Sequence, residues 1–185
     1  MNSTKKNIPG INIAFYVLII TEVMFFAGLI SAYIIAASKA LDWPPIDQPR
    51  LPFLLTLSNM LILLISSIFM YFFVKYSEKG IFKKIFLAIT VVLGIVFLLI
   101  QGLEWVKLVN FGIQNSDGLY ASYFYTLIAL HGVHVFIGLS LIISLFFHLQ
   151  KHGFSYNKIP LIRAFGLFWY FVSLLWPVLY YLLYI

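Results

Sequence analysis

The run YASYFYTLIALHGVHVFIGLSLIISLFFHLQ, Tyr120 to Gln150, decides the fold. At about 1.5 Å of rise per residue, a helix of this length crosses the roughly 30 Å of hydrocarbon in a bilayer with residues to spare. It contains no Asp, Glu, Lys or Arg, and its apolar residues do not alternate as those of a barrel strand would. His-Gly-Val-His at 131–134 sits near its middle, so two imidazoles lie at membrane depth. Any account of function has to explain them.

The rest of the chain fits the same frame. It has 185 residues, 63% hydrophobic, 19% aromatic and 10% charged, where a soluble domain carries about 25% charged residues. Cysteine is absent, which excludes disulfides and thiolate metal sites. Long apolar runs fall near 11–37, 52–74, 84–105, 120–149 and 163–185. Lys5 and Lys6 precede the first run in the manner of a signal peptide, but that run is too long for a signal core and reads as a retained span. The expected fold is all-α: one domain over 1–185, an integral membrane bundle of five transmembrane helices.

Charge placement gives an orientation. Lys5, Lys6, Lys75, Lys79, Lys83, Lys84, Lys151, Lys158 and Arg163 fall on one side of an alternating five-span chain, nine of its twelve basic residues. The positive-inside rule then puts the N-terminus in the cytoplasm and the C-terminus outside. The net charge of +6 follows from topology and needs no nucleic acid partner.

Glu22 lies eleven residues past Ile11, about 16 Å into its span, where a carboxylate is costly unless protonated or paired. His131 reaches a similar depth from the outer end of the antiparallel fourth span. A Glu22–His131 contact is the expected local partnership, with His134 and Gly138 on or near the same face. The histidines stay open to three readings: a structural polar network, proton or quinone handling, or a metal or haem site. Two histidines three residues apart on one helix do not make opposite axial ligands, and a metal would need further donors.

Gln101 and Glu104 share a face near the outer end of the third span, either as an interfacial pair in reach of water or as a helix contact. Trp43 in the Pro-rich first loop reads as an interface anchor or part of a docking surface. The last span carries Trp169, Tyr170 and Ser173, then Trp176-Pro177, where a bend is expected because Pro177 has no amide hydrogen to give the Ser173 carbonyl.

In combination, Thr21-Glu-Val-Met-Phe-Phe-Ala-Gly28, the Trp43-Pro-Pro loop running to Leu51-Pro52, Gln101-Gly-Leu-Glu-Trp105, His131-Gly-Val-His-Val135 with Gly138, and the stretch from Trp169 to Trp176 resemble subunit III of the haem-copper respiratory oxidases. The likeness spans nearly the whole chain and points to the short bacterial form with five helices. It implies a non-catalytic subunit with no catalytic, metal or cofactor-binding residue of its own; haem and copper belong to subunits I and II. It further implies packing against subunit I, a complex with subunit II and a small subunit IV, and phospholipid held between helix groups. Proton uptake and turnover stability would be supported from the bacterial inner membrane. Glu22 matches the family's carboxylate in the first shared helix, and His131 the first histidine of its His-Gly-x-His motif. The Trp-Pro-Pro loop resembles the cytochrome c branch more than the quinol branch.

The chain departs from the family where a terminal Trp-His-x-Val-Asp motif is usual. Tyr170 stands for the histidine and Ser173 for the aspartate, so neither keeps the charge of the residue it replaces. An accessory subunit of a quinol oxidase or a nitric oxide reductase is the alternative. An autonomous quinone- or haem-dependent membrane enzyme is the reading from another class.

Overall fold

The computed structural model describes residues 9–43, 53–75, 82–110, 118–153 and 159–184. Five helices account for nearly all of them: α1 (Pro9–Lys39), α2 (Phe53–Lys75), α3 (Phe82–Asn110), α4 (Leu119–His152) and α5 (Ile159–Tyr184). Each contains a stretch long and apolar enough to cross a membrane. Hydropathy marks only the part in hydrocarbon, and several helices run on into polar residues. α3 passes Trp105 to take in Lys107 and Asn110, and α4 continues through Lys151 to His152. α4 stops where Gly153 adopts φ 69°, a left-handed conformation that costs glycine little, with its amide on the Leu149 carbonyl at 3.1 Å.

The helices pack as α2 on α3 and α5, α4 on α3 and α5, and α1 on α4 and α5. α5 is the most enclosed helix and α1 the least. This order has a side-chain cause: Trp169, Val172, Trp176 and Leu179 of α5 are fully buried, spaced three and four apart so that one stripe faces the bundle. Pro177 lies within α5, which continues past it to Tyr184.

Trp169 is the point where four helices meet. A Cβ added at Gly94 of α3 would lie 3.1 Å from its Cη2, and one added at Gly138 of α4 would lie 3.1 Å from its Cε3. The two glycines therefore form the slot that receives the indole. Its Nε1 donates to Ser66 Oγ of α2 at 3.3 Å. In lipid there is no hydrophobic drive between helices, so such close packing and buried hydrogen bonds carry the association.

Trp43, half-buried after α1, folds back onto the bundle. Its Nε1 donates to the Tyr33 hydroxyl at 3.0 Å, which in turn donates to the Leu182 carbonyl of α5 at 3.2 Å, and its ring meets Tyr120 edge-on. The indole is thus tied to the chain's own helices. The Pro-Pro segment after it, and Lys5, Lys6, Lys79 and Lys158, lie outside the described residues.

Candidate functional site

Among the described residues, two hydrogen-bonded groupings within the spans involve a carboxylate. The first joins α1 to α4: Glu22 Oε2 is 2.9 Å from His134 Nε2. The other ring nitrogen, Nδ1, is 2.6 Å from the Leu130 carbonyl one turn earlier. A carbonyl only accepts, so Nδ1 carries a hydrogen. One further proton then sits between Nε2 and Oε2, giving either imidazolium with carboxylate or imidazole with carboxylic acid. Both forms have zero net charge, which is what a group at membrane depth requires. Phe26, 1% exposed, packs edge-on to the His134 ring, and Phe25 flanks it. The pair is partly open on its outer side, with side-chain exposures of 14% for His134 and 21% for Glu22.

The expected Glu22–His131 contact is therefore corrected to Glu22–His134. Depth along two antiparallel helices fixes level but not direction, and residues three apart differ in direction by about 60° at 3.6 residues per turn. That rotation turns His134 toward α1 and His131 into the bundle. His131 stacks on Trp176 of α5, with ring centroids 4.8 Å apart and planes at 16°.

The second grouping lies between α2 and α3. Glu104 and Gln101 are buried, so the helix-contact reading holds for them and the water-facing one does not. The Thr56 hydroxyl lies 3.0 and 3.2 Å from the two Glu104 oxygens, and Gln101 Nε2 donates to Oε2 at 3.4 Å. Asn59 Nδ2 donates to Gln101 Oε1 and to the Phe97 carbonyl, both at 3.3 Å. Deeper along the same seam, Ser66 Oγ donates to the Thr90 carbonyl at 3.0 Å. Thr56, Asn59 and Ser66 were not singled out from sequence. Their spacing of three and seven on an otherwise apolar helix is the signal that marks them as one inward stripe.

Of the last-helix candidates, Trp169 and Ser173 are buried and Tyr170 partly so; Trp169 reaches Ser66, whereas Tyr170 and Ser173 do not join either grouping. His148 and His152 stack on each other at the far end of α4, 4.7 Å between centroids. Among the described residues no three of His, Cys, Asp and Glu come together in a way that could hold a metal ion.

Beside the first grouping an apolar groove runs between α1 and α5, lined by Val23, Phe26, Ala27, Ile30, Phe171, Leu174 and Leu175, with a volume of about 310 Å³. It begins one residue past Glu22.

These features define a class: a five-helix membrane bundle in which Glu22, Glu104, Gln101 and Asn59 serve helix contacts. Similarity to known proteins narrows it. The chain matches the family described as Cytochrome c oxidase subunit III over residues 2–185. It is 35% identical over 171 residues to cytochrome c oxidase subunit 3 of Synechocystis sp., covering 90% of this chain and 72% of that protein. It is 32% identical over 165 residues to cytochrome bo(3) ubiquinol oxidase subunit 3 of Buchnera aphidicola, covering 87% and 79%. With cytochrome c oxidase subunit 3 of Bos taurus the identity is 32% over 181 residues, covering 92% and 67%. The chain belongs to the cytochrome c oxidase subunit III family, as an accessory membrane subunit of a respiratory oxidase of the haem-copper type.

Proposed function

We propose that this chain is the non-catalytic subunit III of a proton-pumping terminal oxidase fed by cytochrome c. In this reading it packs against the haem-copper subunit I, beside subunit II and a small subunit IV, in a bacterial inner membrane. Its basic connections face the cytoplasm, as the positive-inside rule asks. The observation that carries the reading is the family match over residues 2–185, beside the use made of two carboxylates at membrane depth: Glu22 is bound to His134, and Glu104 to Thr56 and Gln101. These contacts join helices, and they support a structural role alongside the match to the subunit III family over residues 2–185.

The α1–α5 groove supports a lipid role. Its lining is apolar and it lies on the least enclosed helix, the setting an acyl chain would favour. A phospholipid seated there would brace α1 and keep the neutral Glu22–His134 pair out of contact with water, which is how the chain would sustain proton uptake and turnover. A quinol-fed complex is the second reading, favoured by the name of the Buchnera aphidicola relative; the Trp43-Pro-Pro loop favours cytochrome c.

Removing the chain from the purified complex tests the proposal. The remaining subunits are expected to keep their haem spectrum and initial oxygen reduction, then lose activity during turnover several times faster. Adding back the chain with phospholipid should restore the slower decay. Loss of haem on removal, or an unchanged decay, would contradict the assignment.

A further inference from the structure

The Glu22–His134 pairing leaves His131 with a different set of neighbours. Its side chain is 1% exposed, and those of Ser173 and Trp176 on α5 are fully buried. Yet both His131 nitrogens, Ser173 Oγ and Trp176 Nε1 have no hydrogen-bond partner among the described residues. The ring contacts explain why these three do not satisfy one another. His131 and Trp176 lie nearly parallel at 16°, and an N–H in the plane of either ring points alongside the other rather than at it. Phe97 stands edge-on to both, at 88° to His131 and 84° to Trp176, and offers no polar atom. Trp176 meets His131 of α4, and Ser173, three residues earlier, lies on the neighbouring turn of the same buried side of α5.

Buried polar groups are nearly always paired, and an imidazole needs a donor for one nitrogen and an acceptor for the other. A neighbouring subunit cannot supply them, because all three side chains are enclosed by this chain's own helices. The partner has to be small, and has to accept from the indole N–H while both giving to and taking from the imidazole and the hydroxyl. The donor-only indole disfavours a cation. The indole and the hydroxyl are uncharged and give an anion no charge to settle against.

We propose that His131, Ser173 and Trp176 hold ordered water at membrane depth, a hydration site enclosed between α3, α4 and α5. Water meets the requirement because it both donates and accepts, and buried waters typically make about three hydrogen bonds. The site is separate from the Glu22–His134 pair, which faces α1, and does not depend on the lipid or electron-donor assignments above.

A high-resolution map of the complex purified from its native membrane provides the test. The expected result is a density peak at about 2.7–3.2 Å from a His131 nitrogen and within the same range of Ser173 Oγ or Trp176 Nε1. In a Ser173→Ala complex, where only one oxygen is removed, the peak should weaken or move. In His131→Phe, which keeps a ring against Trp176, it should be lost. A wild-type map that resolves other internal waters and shows none here would overturn the proposal. So would one in which His131 bonds directly to a protein oxygen.

Discussion

Trp169→Ala should lower the stability of the chain by about 3–5 kcal/mol, the range for removing a large buried ring and leaving its cavity. The indole is fully enclosed where α2, α3, α4 and α5 converge, its slot is shaped by Gly94 and Gly138, and its N–H reaches Ser66. Neighbouring helices cannot close over the gap without moving their backbones. Trp169→Phe should cost much less, since it keeps most of the ring and forfeits mainly the bond to Ser66. Gly138→Ala should cost about 1–3 kcal/mol by overpacking, because the new methyl would press on Trp169 and Phe168, rings that cannot fold aside. In a Trp169→Ala background that cost should shrink, as half of the obstruction is gone. Thermal unfolding of the purified complex, followed as loss of this chain, reads all four variants. Equal costs for Gly138→Ala in both backgrounds would sink the slot interpretation.

Glu22→Ala should weaken the attachment of α1 by about 1–3 kcal/mol, the cost of leaving a partly buried polar group at membrane depth without its partner. α1 packs only lightly on α4 and α5, and the 2.9 Å contact to His134 is a polar tether between α1 and α4. His134→Ala should give a similar loss, and the double variant should cost less than the sum of the two, the signature of a direct contact. His131→Ala, by contrast, should show no such coupling to Glu22. Subunit retention, bound phospholipid and activity decay, measured in parallel, are expected to fall together while the haem spectrum holds. If all three are unchanged in Glu22→Ala, or if Glu22 couples to His131 rather than His134, the pairing argument fails.

Much of this was legible before any coordinates. Five apolar runs without alternation leave five membrane helices as the reading, since hydrocarbon tolerates no other open arrangement. Glu22 and the histidines stood out because polar groups at membrane depth are costly. Sequence does not decide which histidine meets Glu22, because rise per residue sets level, whereas direction depends on how each helix is rotated in the bundle. Glu104 was ambiguous for a related reason. Near the end of a span a carboxylate can reach water or turn inward, and only the presence of Thr56 and Asn59 on α2 decides it. The role of Trp169 was not legible at all, because the two glycines that receive it lie on other helices, 75 and 31 residues earlier in the chain.

In the role proposed above, this chain serves a haem-copper oxidase whose redox centre lies in another subunit. Purification under mild detergent, followed by identification of accompanying subunits and an optical spectrum of each separated component, tests it most directly. The expected result is a haem-bearing subunit I recovered with this chain, and no haem absorbance from the chain once separated. Haem retained by the separated chain, or oxygen-reducing activity from it alone, would contradict the account.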